Sequence, residues 1–254
     1  MGRVTFDGDE IYVRPPINHE DFMKWKARQD EDLSHILREE RAEESGHALD
    51  DFKRMVPVLY RGATLDAVSE YDDHAAGVMK DLSQMIHDDP EIPRHLAISS
   101  ETIKYVGDDG KTHRRAVKGK TWAAYAYIDQ IVRTTDLITD PEHEIVCVQE
   151  SSILGDLYGF STRKKTLDKL TKGRRILMID SCGQMTGYDA KNRSDCYTTL
   201  IDTVNAIGTV NLILVMSSNA WVLQEFKPLV ERLQPKARRL MIRNEPDGIS
   251  DHDE

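Results

Sequence analysis

Three short segments constrain this chain more than anything else in it: EIVCVQE, RILMID and NLILVMSSN, each an almost unbroken apolar run that ends in polar residues. A strand that is apolar at nearly every position has no face to show to water, so it must lie in a sheet covered on both sides. Segments of helical periodicity alternate with the three: TWAAYAYIDQIVRTTDL before the first, then a helix from Ser151 to Tyr158 and a basic amphipathic helix near Arg163 to Lys172, then a helix from Cys196 to Ile207 before the third. Strands joined through helices run parallel, because the helix carries the chain back to the starting edge. The expected fold class is α/β, a parallel sheet flanked by helices.

The upstream sequence has a different rhythm. HLAISSETIKYVGDDGKTHRRAV alternates as strands do, with Asp108, Asp109 and Gly110 as a hairpin turn. Ahead of it a helix through Ala75, Ala76, Val78, Met79, Leu82 and Ile86 is ended by Pro90 and Pro93. The first fifteen residues carry β-like patches and stop at Pro15-Pro16. From Asn18 an amphipathic helix, or two, runs to Gly46 with Phe22, Trp25, Leu33, Ile36 and Leu37 largely at helical spacing. A chain of 254 residues has room for one α/β domain and one such arm. The expected division is an N-terminal helical arm over 1–55, the α/β domain over 56–245 and an acidic tail over 246–254. The apolar stripe of the arm either packs on its own domain or docks on a partner protein; its place ahead of a domain with its own core favours docking.

A formal net charge of −10 excludes a protein that grips nucleic acid with its whole surface. Basic residues concentrate in THRRAVKGK and in TRKKTLDKLTKGRR, so any contact with an anionic polymer is local. Arg163, Lys164, Lys165, Lys169 and Lys172, with Tyr158 and Phe160 beside them as stacking groups, are the candidate DNA contacts; the same helix also reads as a solvated face. No apolar run approaches the roughly 20 residues of a membrane span, and the N-terminus lacks a secretory signal, so no membrane partner and a cytoplasmic location are expected. Cys147, Cys182 and Cys196 are odd in number and lack metal-ligand spacing, which assigns them to the core.

The chemistry sits at the ends of the strands. Gly119-Lys120-Thr121 opens a helix and supplies the closing pieces of a phosphate-binding loop: N–H groups at a helix start, a lysine for the outer phosphates and a hydroxyl for Mg²⁺. By linear spacing the loop's first glycine is replaced by Arg114. RILMID delivers Asp180, suited to hold Mg²⁺, but the next position is Ser181, which cannot accept a proton as a second acid would. NLILVMSSN ends in Ser217-Ser218-Asn219, polar groups suited to a water or a γ-phosphate beside Asp180.

These motifs, in this order, resemble the DnaC/IstB family of AAA+ proteins. VPVLYRGATLDAV resembles the segment that introduces the family's ATPase domain. GKTWAAYAYIDQIV resembles its P-loop helix, CVQESSILGDL the next strand and helix, RILMIDSCG its Walker B strand, VMSSNAWVLQEF its sensor-1 strand, and LVERL the segment of its arginine finger. The resemblance runs from about Val56 to Arg243 and implies an AAA+/P-loop-type sheet. It implies that Gly119, Lys120 and Thr121 bind ATP or ADP, that Thr121 and Asp180 hold Mg²⁺, that Asn219 meets the γ-phosphate, and that Arg232 reaches the nucleotide of a neighbouring subunit. Arg114 and Ser181 depart from the pattern, an insertion separates the first strand from the loop, and no sensor-2 arginine is evident, so at most weak ATPase activity is expected.

The function the resemblance implies is that of a replicative helicase loader or adaptor. It binds a DnaB-type helicase through the N-terminal arm, with Phe22, Trp25, Leu33, Ile36 and Leu37 as contacts, forms a homo-oligomer on it, and assists its placement on single-stranded DNA. The motif departures suggest a phage or mobile-element origin. Two alternatives stay open: a nucleotide-independent helicase adaptor or inhibitor, and an IstB-like transposition ATPase.

Overall fold

The computed structural model describes residues 2–6, 9–13, 23, 46–106, 110–135, 137–184, 190–217 and 220–245. The chain forms two compact units, Met1–Glu44 and Ser45–Glu254. In the first, β1 (Gly2–Phe6) and β2 (Asp9–Val13) pair antiparallel, with Gly2 opposite Val13 and Phe6 opposite Asp9. Phe22, Trp25, Leu33, Ile36 and Leu37 lie outside the described residues.

The second unit begins with α1 (46–55), in which Gly46 is helical rather than the end of a helix. Ala48 and Phe52 on α1 and Val56 after it are buried in the main core, and that tertiary burial outweighs the roughly 1 kcal/mol helix penalty of a glycine. Two short-side-chain caps then set the entry angles. Thr64 Oγ1 accepts from the Ala67 N–H at 3.2 Å to start α2 (Leu65–Ser69), and Asp72 Oδ1 accepts from the Ala75 N–H at 3.0 Å to start α3 (Asp73–Asp88).

The sheet elements follow: β3 (Leu96–Ser100), the hairpin β4 (Thr102–Val106) and β5 (Thr112–Ala116), α4 (Lys120–Thr134), α5 (Pro141–Glu144), β6 (Ile145–Gln149), α6 (Glu150–Tyr158), α7 (Arg163–Thr171), β7 (Ile176–Cys182), α8 (Ala190–Ile207), β8 (Asn211–Met216), α9 (Ala220–Glu231) and β9 (Arg238–Ile242). The five-stranded sheet has the order β6-β7-β8-β3-β9, and every pairing in it is parallel. This is the parallel, helix-flanked sheet that the apolar strands require. Strand β9, RRLMI, is not evident in the sequence, because only Leu240 and Ile242 of its five residues are buried and it lies at an edge.

Period-2 alternation divides the core. Ile176 and Met178 of β7, with Leu96, Ile98, Ile213 and Val215, face a cluster built on α3 and α4. Leu177 and Ile179, with Leu212 and Leu214, face the opposite cluster, built on α6, α8 and α9. Helix α4 is buried along most of its length, and Ala123, Ala124 and Ala126 allow it to lie close to the strands. The sheet thereby holds the start of α4 at the carboxyl ends of β3 and β7, where open α/β sheets place their ligands.

Candidate nucleotide site

Gly119 caps α4 with φ 102°, a left-handed conformation in which any side chain is strained. The first turn of α4, whose leading N–H groups have no carbonyl partner within the helix and whose dipole end is positive, therefore follows directly on a bare backbone that can approach an anion closely. Lys120 Nζ donates to Ser100 Oγ at 3.3 Å, tying the start of α4 to the end of β3. Thr121 Oγ1 donates toward both oxygens of Asp180, each at 3.2 Å.

Asp180 is buried at the end of β7, where its carboxylate also accepts from Gln149 Nε2 at 3.0 Å and from the Ser181 N–H at 2.7 Å. One extra residue in β7 relative to β8, between Ile179 and Cys182, makes a bulge there, and Ser181 takes a left-handed φ of 58° within it. Such a kink re-aims a side chain, at a cost of about 1–2 kcal/mol for a non-glycine residue. The Asp180 charge is felt nearby. Burial, then Asp180, pushes the Cys147 thiol up to about 12; burial, then Cys147 and Asp180, raises the Tyr125 phenol above its ordinary range.

The loop itself corrects the linear reading of the sequence. Arg114 does not occupy a phosphate-loop position: it lies in β5, directly opposite Lys104 of β4. The hairpin leaves the loop at Glu101 and returns at Val117, whose N–H donates to the Glu101 carbonyl at 2.8 Å. With that neck closed, Ser99, Ser100 and Glu101 run in space into Val117, Lys118 and Gly119, and the insertion is a projection from the loop rather than a break in it. Glu245, just after β9, braces the same place: it pairs with Arg115, and its Oε1 accepts from the Lys118 N–H at 3.2 Å. The Arg115 hydrogen bonds hold the Glu245 carboxyl below the usual carboxylate range.

The chain is structurally similar to DnaA, DnaC and DnaI proteins. Domain III of the Thermotoga maritima replication initiation protein DnaA shares 18% identity at a TM-score of 0.44, over 73% of this chain and 68% of that one. The DnaC helicase loader shares 13% identity at 0.45, over 73% and 99%. DnaI shares 14% identity at 0.44, over 67% and 86%. No protein-family model and no curated protein sequence matches the chain.

Asp180 is thus brought to the consecutive Gly119, Lys120 and Thr121 from 59 residues away, and together they fit a Mg²⁺-bound nucleotide. Gly119 leaves a bare backbone at the helix start, Lys120 brings an amine beside it, and the Thr121 hydroxyl beside the Asp180 carboxylate offers two hard oxygen ligands. Asn219 lies outside the described residues, while Ser217, just after β8, donates its N–H to the Cys182 carbonyl at 2.8 Å. Arg232 is elsewhere, at the half-exposed surface between α8 and α9, where its guanidinium donates to Asp202 at 2.9 and 3.2 Å.

Sequence reasoning missed Glu150. It is fully buried at the start of α6, accepts from the Gly183 N–H at 2.9 Å and from Tyr197 Oη at 3.1 Å, and lies 3.6 Å from Arg193 Nε. Arg193 is buried as well, and its Nη1 also pairs with Glu225 at 3.2 Å. An acid immediately after an apolar strand was the available signal, but its buried partner lies 43 residues on, at a spacing no local pattern conveys. So held, the Glu150 carboxylate is committed to the core.

On α7, the Arg163 guanidinium donates to the carbonyls of Leu157 at 2.6 Å and Tyr158 at 3.2 Å, capping the end of α6. Lys164, Lys165, Lys169 and Lys172 are exposed, as are Tyr158 and Phe160; Phe160 is 96% exposed. Among the described residues no helix is long and apolar enough to cross a membrane.

Proposed function

We propose that this chain is a replicative helicase loader or adaptor of the AAA+ type, which binds Mg²⁺-ATP or Mg²⁺-ADP at Gly119–Thr121 and turns it over slowly if at all. The observation that supports it best is the Thr121–Asp180 contact, which joins the phosphate-loop hydroxyl to the carboxylate of the adjacent sheet at the carboxyl ends of the strands. When bound, the nucleotide supplies an anionic cross-link between α4 and β7. The protein's own groups do the rest: Lys120 neutralises phosphate, Thr121 and Asp180 hold the cation, and Ser181 offers no base for a water. The order of motifs from Val56 to Arg243 supports the loader class, with the arm as helicase contact, Arg232 reaching a neighbouring copy after release from Asp202, and the α7 lysines meeting single-stranded DNA.

The test has two arms. Mg²⁺-ATP binding, followed with a fluorescent ATP analogue, is expected in the wild type and lost at least about tenfold in Lys120→Ala, with barely measurable hydrolysis. Affinity capture with the full chain and a purified DnaB-type hexamer is expected to yield a complex. No complex would overturn the loader reading, and nucleotide binding insensitive to Lys120→Ala would overturn the site. One observation favours the nucleotide-independent adaptor instead: Lys120 Nζ already has Ser100 and the Lys118 N–H already has Glu245, so the loop is held together by its own groups. Intact helicase capture without any nucleotide binding would decide for it.

A further inference from the structure

The basic stretch THRRAVKGK is only partly absorbed by the candidate nucleotide site, and the structure lifts most of it out of the loop on the β4–β5 hairpin. Residues 102–116 hold Lys104, Lys111, Arg114 and Arg115 against Asp108 and Asp109, an excess of cations in a chain of net charge −10. Among the described residues the two strands pair only with each other.

The two faces of the hairpin differ. On one, Ile103 packs against the core, Tyr105 lies 5.5 Å from His113 between ring centres, and Arg115 pairs with Glu245. That face is anchored to the body. On the other, Thr102, Lys104, Val106, Thr112 and Arg114 are all exposed, and Val106 is 71% exposed. Lys104 and Arg114 stand directly opposite each other in the register. Like charges in a cross-strand pair repel and destabilise a hairpin, and neither has an ion-pair partner among the described residues. An arrangement that costs stability in the isolated chain is relieved when an anion lies across both cations.

We propose that the outward face of the β4–β5 hairpin, through Lys104 and Arg114, binds the phosphate backbone of a single-stranded nucleic acid. Two long cationic side chains abreast can meet neighbouring phosphates of one strand, and exposed Val106, beside Lys104 on the same face, offers apolar surface for a base toward the tip. The rest of the protein is acidic and repels the strand, so the contact is confined to this projection and to α7. This adds a nucleic-acid contact to the proposed function without depending on the nucleotide or the helicase.

The experiment measures fluorescence anisotropy of a labelled oligothymidylate with the full-length protein, without nucleotide or helicase, as a function of salt. Lys104→Glu/Arg114→Glu is expected to weaken binding at least about tenfold at low salt and to reduce the log–log salt slope by about 1.4, at roughly 0.7 per phosphate contact. Lys104→Glu alone turns the repelling pair into an attracting one, so its thermal midpoint should hold or rise while affinity falls, which separates lost binding from lost folding. Unchanged affinity and salt slope in the double variant would overturn the proposal. So would a polyglutamate peptide that displaces the oligonucleotide as well as unlabelled oligothymidylate of equal charge does, which would make the face a general anion binder. Failure here would leave helicase capture and ATP binding untouched, and failure of those would leave this result standing.

Discussion

A single buried imidazole gives the protein a built-in sensitivity to acid. His95, just before β3, is 1% exposed; its Nδ1 accepts from the Leu212 N–H at 3.1 Å, which leaves the proton on Nε2, 3.4 Å from the Gln234 carbonyl. Burial pushes its pKa down to about 4, with the Gln234 hydrogen bond opposing. Above the unfolded value of about 6.5 both states are neutral and nothing is lost. As pH falls below it, the unfolded chain takes up a proton that the folded chain refuses, so stability declines until about pH 4, where the folded imidazole also protonates. The expected loss is about 2 kcal/mol by pH 5 and about 3 kcal/mol in full. Urea midpoints at pH 7 and pH 5 measure it; His95→Gln, whatever its cost at neutral pH, should lack this part of the decline. An equal decline in wild type and variant would refute the assignment.

At the scale of elements, the Glu150–Arg193–Glu225 chain ties the start of α6 to α8 and α9 through buried charge. Burial raises the Glu225 carboxyl despite Arg193 beside it, a sign that desolvation weighs heavily here. Removing one member of such a chain strands the others, so Arg193→Met should cost about 3–5 kcal/mol in chemical denaturation, and Glu150→Gln added to it should restore part of that. Strict additivity of the two would show that they do not interact. Helix α7 bears a separate prediction. Because Arg163 caps α6, only the exposed lysines are left to meet DNA, and Lys164→Glu/Lys165→Glu/Lys169→Glu should abolish the α7 share of oligothymidylate binding while sparing helicase capture. Unchanged affinity and salt slope would reduce α7 to a solvated face.

At the scale of the whole molecule, the hairpin and the nucleotide loop share a neck at Glu101 and Val117, so a change in one must be accommodated by the other. Mg²⁺-ATP is therefore expected to shift oligothymidylate affinity by about fivefold or more, and the oligonucleotide to shift ATP affinity by the same factor. Equal affinities with and without nucleotide would show the neck to be rigid. Residues Met1–Glu44 form the N-terminal unit. If its aromatic anchor carries the helicase contact, Trp25→Ala in the full chain should weaken capture by about 2 kcal/mol, or roughly thirtyfold, with ATP binding unchanged. Undiminished capture would move the contact elsewhere.

The sheet is legible in the sequence, because EIVCVQE, RILMID and NLILVMSSN cannot be solvated on either face. So are the main members of the candidate nucleotide site, since Gly119-Lys120-Thr121 at a helix start and Asp180 at a strand end are local patterns with local physical causes. Strand β9 stayed hidden because an edge strand with two buried residues carries little hydrophobic signal. The hairpin that carries Arg114 is legible too, but the tertiary structure alone shows that its neck closes at Glu101 and Val117 and so removes Arg114 from the phosphate loop, that Arg163 caps a helix, and that Glu150 and Arg193 meet in the core. Each of these depends on which particular groups share a hydrogen bond or a buried charge, near in sequence for Arg163 and far apart for Glu150 and Arg193, and the apolar periodicity of the chain does not encode that.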